Sequence, residues 1–155
     1  MSVTRTALLL AGAALLLTSG ESRAQMTVTN TAPLDFGSLV PAAAAGTVVI
    51  APTGGRTTTG GVTGVSGTFG SGAFRVAITS GSATFFFFPP ANATLSSGAS
   101  TMTVSAFTSN PAPNSAAVPG PPGALTLNVG ATLAVGANQA PGTYTGTYSI
   151  FFIHF

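Results

Sequence analysis

Beyond residue 24 the apolar positions recur every second residue rather than every third or fourth. In "FRVAI", Phe74, Val76 and Ile78 share one face and Arg75 takes the other. "TMTVSAF" repeats the pattern with Met102, Val104 and Ala106. A period of two is that of a strand with one buried and one wet face, as in antiparallel sheets. Runs of Thr, Val, Phe, Tyr and Ile are cut throughout by Gly, Pro, Asn and Ser, the punctuation of short strands. The pattern predicts strands at Met26–Asn30, Leu34–Leu39, Gly46–Pro52, Thr57–Gly67, Ala73–Thr79, Thr84–Phe88, Ser100–Phe107, Ala124–Val135 and Thr143–Phe155. Ala124–Val135 could also be read as two shorter strands. No window keeps a helical period, and Gly or Pro interrupts nearly every stretch long enough for a helix. Several short strands separated by turns predict a sandwich or barrel, all-β and antiparallel.

Two segments depart from simple alternation. "FFFFPP" (Phe85–Pro90) is apolar on both faces, and its two prolines stop any ladder. It reads either as a strand covered on both sides within the domain or as an exposed apolar edge. "NPAPNSAAVPGPPG", residues 110–123, holds five prolines and reads as an extended surface loop inside the domain.

The opening residues have another character. Arg5 precedes the apolar run Ala7–Leu17, and Ser22 and Ala24 set small residues at the −3 and −1 positions of a cleavage site. This is the layout of a secretory signal peptide, and the apolar run is too short for a membrane-spanning helix. Residues 1–24 are therefore expected to be removed and residues 25–155 to fold as one domain. The product is expected in the periplasm, at the cell surface or outside the cell.

Charge changes the picture by its scarcity. Only 4% of the chain is charged while 45% is hydrophobic, so the chain should collapse rather than stay disordered. After residue 24 the only charged side chains are Arg56, Arg75 and Asp35. Nucleic acid is excluded as a partner, because neutralising phosphates takes several Lys or Arg. Arg56 and Arg75 read as solvated charges, and Asp35 in "LDFG" as a turn or strand-end residue.

Chemistry is scarcer still. The mature part has one His (His154), one Asp and neither Glu nor Cys. A carboxylate pair within one chain is impossible. The G-x-S-x-G motif of a serine hydrolase is absent, and "GGVTGVSGTFGSG" lacks the lysine of a phosphate loop. We expect no enzyme activity, no metal and no cofactor. "NAT" (Asn92–Thr94) matches a glycosylation acceptor, a motif short enough to arise by chance.

The last strand raises the sharpest question. Tyr144, Tyr148, Ile150, Phe152 and His154 lie on one face; Thr145, Thr147, Ser149, Phe151, Ile153 and Phe155 lie on the other. The second face starts polar and ends apolar, so the strand enters half wet and finishes needing cover on both sides. The stretches "LDFG", "GGR", "LNVGATLAV" and "PGTYTGTY" resemble the bacterial exported family called domain of unknown function 4402, across nearly all of residues 25–155. The last segment also resembles subunits of the chaperone–usher pilin type and spore coat protein U domains. Those are incomplete immunoglobulin-like sandwiches whose final strand carries alternating apolar residues, a glycine fourteen residues from the end and a penultimate aromatic. Gly142, Tyr144, Tyr148, Ile150 and Phe152 match, His154 stands at the penultimate position and Phe155 follows it.

The resemblance implies a single immunoglobulin-like β-sandwich. It implies a non-catalytic structural or surface subunit of a bacterial envelope, assembling by strand addition with like subunits and a periplasmic chaperone. There is no disulfide of the pilin type, and "MTVTN" (Met26–Asn30) is a poor donor that could complete its own sandwich. A small outer-membrane barrel, with membrane association, is the alternative. So is an adhesion module binding through Pro52–Gly60 and Asn110–Gly123.

Overall fold

The computed structural model describes residues 25–80, 85–113 and 123–154. The expected signal peptide, most of the proline-rich loop and Phe155 fall outside them. Among the described residues there is no helix, and every strand pairing is antiparallel. The strands are β1 (Gln25–Ala32), β2 (Leu39–Ile50), β3 (Arg56–Gly64), β4 (Gly72–Ser80), β5 (Phe85–Phe88), β6 (Asn92–Ser97), β7 (Ser100–Asn110), β8 (Gly123–Val135) and β9 (Phe151–His154).

Strand β8 is the spine. Leu127, Val129, Ala131, Leu133 and Val135 all turn the same way and are all buried. Its first half pairs with β4, its second half with β2, and β7 also pairs with it, Thr103 opposite Ala134 and Asn110 opposite Asn128. At Gly130 the carbonyl oxygen of Ile50 comes so close that no side chain would fit. A glycine there lets one strand carry both halves of the sheet unbroken.

Two apolar clusters fill the interior. Val48, Ile50 and Val62 of β2 and β3 pack with Met102, Val104 and Leu133, and Ala93 and Leu95 of β6 close over them. Val76, Ile78, Leu127 and Val129 pack against Phe87 of β5, with Ile150 and Phe152 closing that side. The separate β5–β9 ribbon thus packs over the β4–β8 region, while β6–β7, joined to β2–β3 through β8 in one seven-stranded sheet, curls round to share the first cluster with them. This is the antiparallel sandwich expected from the alternation. No buried polar or charged residue is found among the described ones.

Local departures from the expected strands have physical reasons. Leu34–Leu39 makes only an isolated bridge, Asp35 to Gly70, before β2 begins. Asp35 Oδ1 accepts a bond from Gly37 N at 2.8 Å, and Gly37 has φ +74°, so the chain turns instead of running straight. In β7 the face set by Met102 and Val104 slips at a bulge: Ala106 has φ 48° and is exposed, and Phe107 turns inward in its place. Pro52–Gly60 is mostly strand, since β3 starts at Arg56. Strand β1 pairs with β4, so "MTVTN" completes its own domain.

Candidate functional site

The segment from Gln139 to His154 gathers the residues singled out in the sequence. It runs antiparallel to two earlier strands in turn. Thr145 exchanges backbone bonds with Ser96 of β6, at 2.8 and 3.1 Å. Six residues later Phe151 pairs with Phe88 of β5, and the ladder continues to His154 opposite Phe85. Pro89 and Pro90 stand between the two contacts and, lacking N–H groups, break the ladder there. Gly146 presses on the backbone carbonyl of Thr94, leaving no space for a side chain. Gly142 faces the Ser97 side chain rather than backbone.

The inward face of the segment is the one the alternation selected. Tyr144 packs on the first cluster; Tyr148, Ile150 and Phe152 pack on the second. The Phe152 and Phe87 ring centroids are 6.2 Å apart. The Tyr148 ring lies 5.4 Å from that of Phe107 and 6.1 Å edge-on from Phe74. The backbone of His154 pairs as stated; Phe155 lies outside the described residues.

The two tyrosines differ in how their hydroxyls are served. Tyr144 donates to the carbonyl of Ala140 at 2.7 Å and accepts from Gln139 Nε2 at 2.8 Å. A tyrosine bonded to backbone a few residues upstream is the tyrosine corner of immunoglobulin-like sandwiches. Gln139 also accepts from Gly136 N and donates to the Thr101 carbonyl, which ties the corner to β7. The Tyr148 hydroxyl is buried against Gly72 and has no partner among the described residues. Burial pushes its pKa up, because the phenolate would lose its hydration.

The other flank of the segment is open. Because Thr145 turns both backbone groups toward β6, Tyr144 and Gly146 turn theirs the opposite way. There a cleft of about 730 Å³ separates Gln139–Gly146 from the Pro33–Leu39 stretch. Its floor is core: Leu95, Met102, Leu133 and Val135. A smaller pocket of about 220 Å³ shares its Leu34 and Gly146 walls and ends at Phe107 and Tyr148. Asp35 is the one charged residue on the wall, and its Oδ1 is engaged by Gly37.

The outward face of β5–β9 is apolar and exposed. Phe151 is 65% accessible, Phe88 beside it 45% and Ile153 36%. The segment's end is therefore covered by its own chain on one side and open on the other.

Arg56 is the residue that sequence reasoning misjudged. It is not a free solvated charge. Nη1 donates to the carbonyls of Phe36 and Ser38 at 3.2 and 3.4 Å, Nη2 to that of Val65 at 2.6 Å, and the guanidinium sits 4.2 Å from the Phe69 ring centroid. Gly37 and Gly64 make room for it. The separate motifs "LDFG" and "GGR" are thus two sides of one clamp, and it holds the far wall of the cleft.

No curated protein and no solved structure matches the chain. The family comparison does: over residues 5–153 the chain matches the family described as Domain of unknown function (DUF4402), and it belongs to that family.

Proposed function

We propose that this protein is a non-catalytic structural subunit of a bacterial envelope or surface assembly, exported and built in by strand addition along its last segment. The observation that carries the reading is the open flank at Thr145. Its backbone groups are spent on Ser96, those of Tyr144 and Gly146 point away, and a cleft floored by core side chains opens beside them. An added strand would pair with that edge while its alternate side chains entered the cleft; backbone bonds give affinity and pockets give register. A surface nearly without charge supports the same reading, since such a surface does little to keep copies apart. Like subunits, with a chaperone as escort, are the proposed partners, and the proposed locations are the periplasm, the cell surface or beyond.

The test is photo-crosslinking in the cell from a probe at Thr143 or Thr147. Interchain adducts in an envelope fraction or a sheared surface fraction are expected. A free periplasmic monomer without interchain adducts would overturn the proposal.

A further inference from the structure

Strand β1 has an inner face that its own chain leaves partly uncovered. Met26, Val28 and Asn30 stand opposite Ile78, Val76 and Phe74, so they share the face that those residues turn to the core. Val76 and Ile78 are buried, yet Val28 beside them is 37% accessible and Asn30 is exposed. The cause is the course of the last segment. Tyr148 meets Phe74 edge-on, and Ile150 and Phe152 close the second cluster. The segment therefore roofs β4 and leaves β1, at the edge of the sheet, without a facing strand.

The space over β1 continues the cleft. The pocket of about 220 Å³ has Asn30 on one wall and Thr147 and Tyr148 on another, and it shares Pro33, Leu34 and Gly146 with the cleft. The open edge continues as well. Tyr144, Tyr148, Ile150 and Phe152 all turn inward, so the alternation is unbroken. Tyr148 and Ile150 then turn their backbone groups to the same flank as Tyr144 and Gly146. We infer that the strand added beside Tyr144 and Gly146 runs on past the cleft and lies over β1. There it covers Val28 and meets Asn30 with an uncharged hydrogen-bonding side chain. This rests on the assembly reading above and adds the partner's length and chemistry.

Reach sets the length. From Tyr144 to Ile150 is six residues, about 20 Å of extended chain, so the occupant has about seven residues or more in strand form. A helix spends its backbone groups on itself, and a lipid chain has none to offer such an edge. Charge sets the composition. No charged side chain lines the pocket, and Arg75 stands opposite Thr29 on the other face of β1–β4. An inward charge on the partner would be desolvated with nothing to pair it. Asn30 sets the exception to an apolar inner face. It is exposed, so its amide is solvated until a strand covers it. Covering it without a replacement bond leaves a buried polar group unmet, which weakens binding about tenfold. The side chain laid over Asn30 is therefore a hydroxyl or an amide rather than an alkyl group.

The test is in-cell photo-crosslinking with the full chain, from a probe at Val28 and from one at Thr143 as reference. Both probes are expected to capture the same polypeptide. Asn30→Asp, equal in size and exposed, should leave the melting temperature of the purified chain unchanged and lower the Thr143 adducts about tenfold, because it places a charge under the added strand. Asn30→Ser keeps a hydrogen-bonding group and should retain most of them. If Asn30→Asp fails to fold, the Val28 probe decides alone. Adducts from Thr143 without adducts from Val28 would end the strand at the cleft and overturn the inference, while the assembly reading stands. Undiminished Thr143 adducts in a folded Asn30→Asp would overturn it too. So would Val28 adducts to residues 114–122 of the same chain, since the space is then filled from within. Absence of adducts from both probes removes the assembly reading and this inference with it.

Discussion

Arg56 Nη1 donates to the carbonyl of Phe36 at 3.2 Å, joining the start of β3 to a turn twenty residues earlier in the chain. The same side chain reaches Val65 and covers the Phe69 ring. Arg56→Ala leaves the part-buried carbonyl of Phe36 without this donor, loses the bonds to Ser38 and Val65, and removes the stacked cation. Bonds from a charged group contribute about 1.5–3 kcal/mol and the ring contact about 0.5–1. A loss of about 2–3 kcal/mol is expected, read as a lower urea midpoint at unchanged slope. Arg56→Lys should recover less than half of it, because an ammonium cannot reproduce a planar fork. A midpoint unchanged in Arg56→Ala would mean that the clamp is ornamental.

The two tyrosines of "TYTGTY" should respond oppositely to the same chemical change. Tyr144→Phe deletes a hydroxyl bonded to Ala140 and Gln139 and should cost about 1–1.5 kcal/mol. Tyr148→Phe deletes a buried hydroxyl with no partner among the described residues and should be neutral or stabilising by about 1 kcal/mol. Thermal melts of both variants, run side by side, check the contrast.

Tyr148 also sets a pH dependence. Its pKa is raised in the folded state by burial, so above about pH 10 the unfolded chain loses that proton first. The unfolded state then binds fewer protons than the folded one, and stability falls as pH rises. The contribution is intact below the unfolded value and declines as pH climbs toward and through the folded one. Urea midpoints at pH 8 and pH 11 should differ more in the wild type than in Tyr148→Phe. Equal slopes would assign the alkaline limb elsewhere.

The strand alternation was legible because burial enforces it. Val76 and Ile78 must face inward, and Leu127 to Val135 show five inward residues at every second place. The inward set of the last segment could be read for the same reason. Strand β6 was not, since "NATLSS" has only Ala93 and Leu95 to mark its inner side. The bulge at Ala106 was also hidden, because a backbone irregularity leaves no trace in an alternating apolar pattern. The clamp had a signal, an arginine after two glycines and an aspartate–phenylalanine turn, but nothing local says that the two meet. The cleft depends on which strand edges are left unpaired, a property of topology that no single segment contains.

Gly146 tests how closely the last segment must approach β6. With the Thr94 carbonyl where a Cβ would go, Gly146→Ala must push the two backbones apart at the Thr145–Ser96 bridge. Overpacking of this kind costs about 1–3 kcal/mol. Amide exchange at Ser96 and Thr145 should accelerate before the rest of the sheet does. Protection unchanged at both amides would show that the segment tolerates a wider spacing.

The last residues should be structural in their own right, before any assembly. Phe152 packs with Phe87, and both close the cluster that holds Val76, Ile78, Leu127 and Val129. Deleting Ser149–Phe155 removes Ile150 and Phe152 from that cluster and leaves β5 without its partner strand. Folded protein should then fail to accumulate. Phe152→Ala is the milder test: a partly buried aromatic should cost about 2–4 kcal/mol, below the range of a full core truncation. Phe151→Ala, one residue away on the outward face, should cost less than about 1 kcal/mol. The contrast between the neighbours separates fold from surface. If Phe151→Ala destabilised the chain as much as Phe152→Ala, the outward face would be part of the core.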